Sequence, residues 1–378
     1  MTDNAADDSL APYSEPPPEG ETLAFSTTIE PGRFFGLSLK NGLLNLITLT
    51  LYRFWGKTEV RQRIWRGVRL NDEAFEYTGR GVELFIGFLL ALAFIGLPFL
   101  IVIFGIQFTQ HWAFMLALFP LYIGMFWLWG FGVFAAFRYM ASRTTWRGVR
   151  FQLKGSASAY GWSYLFALFL SSLTGGWFWP YAERQLASRV WEELRFGDRR
   201  LRFRMDRAER QGIYGAFAIG WFGTLVGYFA LIFVFVGVAM AAGDSLQTSA
   251  DGQAPVPSVM FTLMVYGLLL AASPIALLIW APYQAALLRS IAAGVTLDNA
   301  SFKLNVKAIP LWWLTVTNLF LLLITFGFLM PWVQARTARF LIQRLESTGH
   351  ARLDIARQAA RGPGSGEGLA DAFGFSAI

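Results

Sequence analysis

Residues 84–106 read LFIGFLLALAFIGLPFLIVIFGI, 23 consecutive residues without a charge. A helix needs about 20 apolar residues to cross the hydrocarbon core of a bilayer. Three further runs meet that length: 112–137, 213–240 and 259–283. Together the four predict an α-helical multi-pass membrane protein with two transmembrane hairpins. The first hairpin turns at 107–111. The second turns at 241–258, where Asp244 and Asp251 are the charged residues.

The positive charge surrounds these runs. Of 32 Lys and Arg, 30 fall in the blocks 53–80, 138–154, 184–210, 289–307 and 336–361, while 81–137, 211–288 and 308–335 hold none. By the positive-inside rule the first four blocks face the cytoplasm and both hairpin turns face outward. Composition agrees. Charged residues are 15% of the chain, against roughly 25% in a typical soluble domain. The net charge of +7 flanks apolar spans, which points to the lipid bilayer and its anionic headgroups as partner rather than to nucleic acid. With no cysteine and two histidines, His111 and His350, no thiolate chemistry and no His-based zinc site is expected, and no cofactor.

Three apolar segments break the simple count: 41–52, 161–180 and 310–332. Segment 41–52 would be roughly 18 Å long as a helix, short of the ~30 Å core. The second contains Gly175, Gly176 and Pro180, the third Gly327 and Pro331. They read as re-entrant or interfacial elements, with ordinary single crossings as the alternative. They also align with one another. Thr48, Thr174 and Thr325 superpose, an aromatic follows seven places on (Trp55, Tyr181, Trp332), and Asn41 matches Asn318.

Basic stretches follow, with Arg63/Arg189 and Trp65/Trp191 in register. Their apolar residues four apart predict short amphipathic helices on the membrane surface. After them, Val68, Leu70, Phe75 and Tyr77 share offsets with Leu194, Phe196, Leu201 and Phe203, and with Val295, Leu297, Phe302 and Leu304. Period-two alternation around turn residues predicts small cytoplasmic β-hairpins. The string WRGVR occurs at 65–69 and again at 146–150, where it reads as a half-copy. The expected organisation is a disordered acidic, Pro-rich tail (1–21), repeat 1 (22–154), repeat 2 (155–302), a truncated repeat 3 (303–361) and a disordered Gly/Ser-rich tail (362–378).

The stretches Asn41-Gly42-Leu43-Leu44, Thr48-Leu49-Thr50-Leu51-Tyr52-Arg53-Phe54-Trp55-Gly56-Lys57, Phe75-Glu76-Tyr77-Thr78-Gly79 and Glu83-Leu84-Phe85-Ile86-Gly87-Phe88 resemble the YjgN family of bacterial inner-membrane proteins. The resemblance covers most of residues 25–350. It implies a multi-pass inner-membrane protein and supplies no substrate, reaction or catalytic residue.

Asn41, Thr48, Thr174, Asn318 and Thr325 form the best intramembrane polar set. They line a small polar passage, or they bond across helices and cap broken ends. Arg61, Arg63, Arg66, Arg69, Arg189 and Arg195, with the boundary tryptophans Trp65 and Trp191, are candidates for anionic-lipid contact; topogenic charge is the plainer account. The four long runs carry no Asp, Glu, Lys or Arg, which argues against a proton-coupled pump. No catalytic motif occurs. The first expectation is therefore non-catalytic passage or handling of a small solute or lipid. A membrane scaffold docking a partner comes second, and an intramembrane enzyme last.

Overall fold

The computed structural model describes residues 20–109, 112–241 and 259–353. His111, Asp244 and Asp251, with residues 1–19 and 362–378 of the expected tails and 110–111 and 242–258 of the expected outward turns, lie outside the described residues. Strands β1 (Glu21–Thr22) and β2 (Phe25–Thr27) lead through one 3₁₀ turn into helix α1 (Phe35–Ile47). The chain turns over 48–52 and continues as α2 (Arg53–Gly67), then β3 (Val68–Leu70), β4 (Glu73–Ala74) and β5 (Glu76–Tyr77). Helix α3 (Gly81–Ala91) runs through a π-helical turn (Leu92–Gly96) into α4 (Leu97–Thr109), and α5 (Trp112–Arg143) follows. Next come β6 (Thr144–Trp146), β7 (Val149–Leu153), α6 (Ala157–Leu173), α7 (Trp179–Glu193), β8 (Leu194–Phe196) and β9 (Arg199–Phe203). The short α8 (Met205–Glu209) precedes α9 (Ile213–Ala241) and α10 (Val259–Gly294). The chain closes with β10 (Val295–Leu297), β11 (Ala300–Leu304), α11 (Ala308–Ile324), α12 (Met330–Ile342), β12 (Leu345–Thr348) and β13 (His350–Ala351).

Four helical stretches, Gly81–Phe108, Met115–Arg143, Ile213–Gly237 and Thr262–Gly294, are long and apolar enough to cross a membrane. They carry large exposed apolar side chains, among them Phe94, Phe119, Phe229 and Phe233, a surface that suits lipid rather than water. Glycines set the closest approaches between helices. A Cβ on Gly161 of α6 would stand 2.8 Å from the Trp127 carbonyl of α5. One on Gly223 of α9 would stand 2.5 Å from Ile279 of α10. Small residues at such crossings let backbones pack without a gap. Inside α10, Pro274 removes the donor to the Leu270 carbonyl, and the Ser273 hydroxyl donates to that carbonyl at 2.7 Å instead.

Each of the segments 41–52, 161–180 and 310–332 is broken rather than continuous. In each, one helix ends at the aligned threonine, the chain turns, and a second helix starts: α1/α2, α6/α7 and α11/α12. Pro180 and Pro331 sit in the first turn of the second helix, where a missing N–H costs nothing.

The strands do not remain separate small hairpins. β5 to β12 form one eight-stranded sheet in sequence order, with every neighbouring pair antiparallel. β2, β3 and β4 form a second sheet, and β1 pairs with β13. One core serves them all: Leu23, Leu70, Trp146, Phe196, Leu201, Phe203, Val295 and Leu297 are buried together. Glu21, expected in the N-terminal tail, is instead paired with Ala351 in β1–β13. The first expected hairpin also splits. β3 pairs with β4, but β5 leaves to pair with β6.

Candidate functional site

The three threonines occupy equivalent local positions. Their hydroxyls donate to the carbonyl four residues back: Thr48 to Leu44 at 2.6 Å, Thr174 to Leu170 at 2.9 Å, Thr325 to Leu321 at 2.7 Å. Each also accepts the N–H four residues ahead, from Tyr52 (3.0 Å), Phe178 (3.0 Å) and Leu329 (3.5 Å). A helix end leaves such backbone groups without partners, and in lipid they are costly to leave so. Each threonine thus brackets its own turn. The first and third turns expose apolar side chains, Leu49 at 84% and Phe326 at 91%.

The two asparagines differ. The amide of Asn318 donates to Thr337 Oγ1 at 3.2 Å and accepts from Arg336 at 3.1 Å. Asn41 is 4% exposed, and neither its Nδ2 nor its Oδ1 has a hydrogen-bond partner. It packs on Gly56 of α2, where a Cβ would stand 3.1 Å from the amide nitrogen. α1 in turn packs against the third helical pair. Ser38 Oγ accepts the Trp332 N–H at 3.2 Å, and a Cβ on Gly42 would meet the Phe328 ring at 2.2 Å.

The candidate interfacial residues scatter. Arg61 is buried and donates to the Tyr77 hydroxyl at 3.3 Å, with the Tyr77 ring beneath its guanidinium. Arg63 pairs with Glu59 at 3.2 Å. Arg66 and Arg189 are exposed. Arg69 reaches the Asp72 carbonyl at 3.5 Å. Trp65 donates to Thr144 at 2.8 Å, and Trp191 packs on the strand core. Arg195 lies in β8 opposite Arg200 of β9.

That last pairing leads to a feature the apolar periodicity left unused. In β9, Leu201 and Phe203 face the core, so Arg200 and Arg202 face outward. The register carries Arg150 of β7 and Lys303 of β11 to the same outer face. The polar positions of the alternation carried this signal as plainly as the apolar ones. At one end of the sheet, the β8–β9, β10–β11 and β12–β13 turns enclose a cleft of about 650 Å³ lined by Arg199, Arg200, Arg202, Arg352, His350, Asn299, Asp198 and Asp298. A second cleft of about 550 Å³ lies between α6, α7 and β9, with Arg189, Glu192 and Glu193 on its wall.

Two half-buried carboxylate contacts were also not foreseen. Glu83 ion-pairs with Arg143 at 2.9 Å and accepts from the Tyr139 hydroxyl at 3.1 Å. Glu183 of α7 accepts from the Tyr283 hydroxyl of α10, and burial holds its carboxyl above the usual range. Among the described residues, no cluster of three or more His, Cys, Asp or Glu is placed to hold a metal.

A family model described as a bacterial protein of unknown function, DUF898, matches residues 22–372. Inner membrane protein YjgN of Salmonella typhimurium is 32% identical over 149 residues, which is 39% of this chain and 34% of that protein. The aligned part therefore spans about a third of that relative's length. No solved structure matches the chain.

Proposed function

The chain belongs to the DUF898 family of bacterial proteins, and from that premise we propose that it is an integral inner-membrane protein working as a platform. Four helices cross the bilayer. The three Thr-bracketed helical pairs dip into it from the cytoplasmic side and return. The strand layer sits on the cytoplasmic face, where its outward arginines dock an acidic cytoplasmic or membrane partner.

The single observation that carries this reading is the sheet itself. Its strands are drawn from residues 76 to 348, and each lies within one of the five basic blocks. Strands that hydrogen-bond to one another lie on one side of a membrane. On this reading the blocks that hold them share that side, and the apolar segments between them return to it. The exposed apolar turns at Leu49 and Phe326 fit tips immersed in lipid. The threonine hydroxyls, each engaged with its own turn, are not available to line a path.

Passage of a small solute or lipid is the second reading, and the unpartnered Asn41 amide is what favours it. One set of substitutions separates the two. Cysteine at Arg202, exposed on the sheet, should resist a membrane-impermeant maleimide in intact cells and label after permeabilisation. Labelling in intact cells refutes the cytoplasmic platform. A photo-crosslinker at the same position should give a discrete adduct that disappears when Arg150, Arg195 and Arg200 become glutamine and persists in Asn41→Ala. An adduct lost in Asn41→Ala alone favours passage.

A further inference from the structure

We propose that the cleft between the β-turns at one end of the eight-stranded sheet binds a phosphate-bearing anion. Four arginines line it, Arg199, Arg200, Arg202 and Arg352, against two aspartates, Asp198 and Asp298. That leaves two positive charges in excess before His350 is counted. The β6–β7 turn at the same end of the sheet shows the ordinary solution. There Arg147 faces Glu21 at 3.0 Å and Glu73 at 3.0 Å, so one guanidinium meets two carboxylates. In the cleft the ion pair that links an arginine to Asp298 is longer. Arg200 donates through Nε to the Glu192 carbonyl at 2.7 Å, but the Arg202 guanidinium has no ion-pair or hydrogen-bond partner among the described residues, and Arg199 reaches Asp298 only at 3.9 Å, with a buried Nε that no acceptor meets.

The cleft is preformed. Asp298 Oδ2 accepts the Arg352 N–H at 3.1 Å, tying the end of the described chain to the β10–β11 turn. Gly349 approaches the Asn299 carbonyl so closely that a Cβ would stand 2.3 Å from it. Arginines held on rigid strands lose little freedom when they grip a ligand, and the planar fork of each matches a phosphate edge with two parallel hydrogen bonds. The volume of about 650 Å³ lies in the range of small-molecule sites, roughly 300–1,000 Å³. The shared chemistry is a phosphate ester or anhydride, supplied either by a soluble ligand or by a lipid headgroup. The site does not depend on whether the sheet face docks a protein.

The test uses the full chain in nanodiscs. In discs of phosphatidylcholine alone, calorimetric titration with pyrophosphate at fixed ionic strength reports a soluble ligand. Native mass spectrometry after release from phosphatidylglycerol discs counts a retained anionic lipid. One equivalent bound in either arm is expected, and which arm responds identifies the source. Arg202→Gln should weaken that binding about tenfold, the effect of one charge-assisted hydrogen bond. Asp198→Asn should strengthen it several-fold by removing a like charge, a gain that no folding defect can imitate. No binding in both arms, or binding that neither variant changes, overturns the proposal.

Discussion

The turns of the first and second helical pairs share a backbone and differ in residues. In the second, Gly175 and Gly176 take φ of 60° and 91°, conformations that glycine adopts freely. In the first, Leu49 and Thr50 take φ of 50° and 70°, a region that costs an L-residue roughly 1–2 kcal/mol. The third pair stands between them, with Phe326 at 48° and Gly327 at 79°. The threonine bracket is common to all three. The geometry is therefore set by the reversal of the helix and its capping, and glycine only eases it. Something else must hold the first turn in a strained state. Its helix α1 is clamped to the third pair through Ser38–Trp332 of α12 and Gly42–Phe328 of the turn before it, whereas the second turn needs one outside contact at its glycine, Trp221 donating to the Gly175 carbonyl at 2.8 Å.

The largest effect should come from breaking the clamp. In Gly42→Val the new Cβ falls at 2.2 Å from the Phe328 ring, and overpacking of this kind costs about 3 kcal/mol. Tryptophan-monitored thermal unfolding in detergent should show a large drop; an unchanged midpoint would mean the clamp does not exist. Next is Gly176→Val. A Cβ there meets nothing closer than 3.8 Å, so only the φ penalty remains, about 2 kcal/mol. The reverse change, Thr50→Gly, should raise stability by about 1 kcal/mol, the relieved strain being partly offset by the freer unfolded chain. If Thr50→Gly destabilises, the turn is not strained and the comparison collapses.

The smallest effect concerns the ion pair between α1 and α2. Lys40 and Glu59 stand 2.6 Å apart, with side chains 47% and 27% exposed. Glu59 holds the Lys40 ammonium above its usual value of 10.5. A raised lysine contributes in full below that value and loses its contribution only as pH rises through the higher folded one. Near neutral pH, Lys40→Gln should therefore cost about 0.5 kcal/mol, and added salt should erase the difference. A loss that survives high salt would show that Lys40 acts by packing.

The repeated string WRGVR marks the limit of reading locally. At 65–69 the helix α2 runs through Trp65 and Arg66 and ends at Gly67, and Val68 begins β3. At 146–150 the same tryptophan ends β6, Arg147 and Gly148 form a tight turn with φ of 48° and 72°, and Val149 begins β7. The difference lies outside the string. Trp65 inherits the ladder of α2, while Trp146 donates to the Glu73 carbonyl at 3.3 Å, and Arg147 is held by Glu21 and Glu73. Asn41 and Asn318 teach the same lesson in one atom set. Their apolar surroundings align, yet only Asn318 meets an arginine.

Some features are local, and the sequence alone determined them. Four helices long enough to cross a bilayer follow from unbroken apolar length. The alignment of Thr48, Thr174 and Thr325, at each of which a helix ends, is legible in the sequence. The strand pairs around 197–198 and 298–299 follow from period-two alternation about turn residues. Other features needed the tertiary structure, because their partners are far apart in the chain. Pairing of Phe203 with Val295 and of Lys303 with Glu346 turns separate hairpins into one sheet. That sheet brings Arg199 and Arg202 beside Arg352 in one cleft, while the packing of the helical pairs leaves Asn41 without a partner and gives Asn318 two. Backbone propensity and hydrophobic period act over a few residues, whereas the company a charged or polar side chain keeps is decided by packing between separate elements.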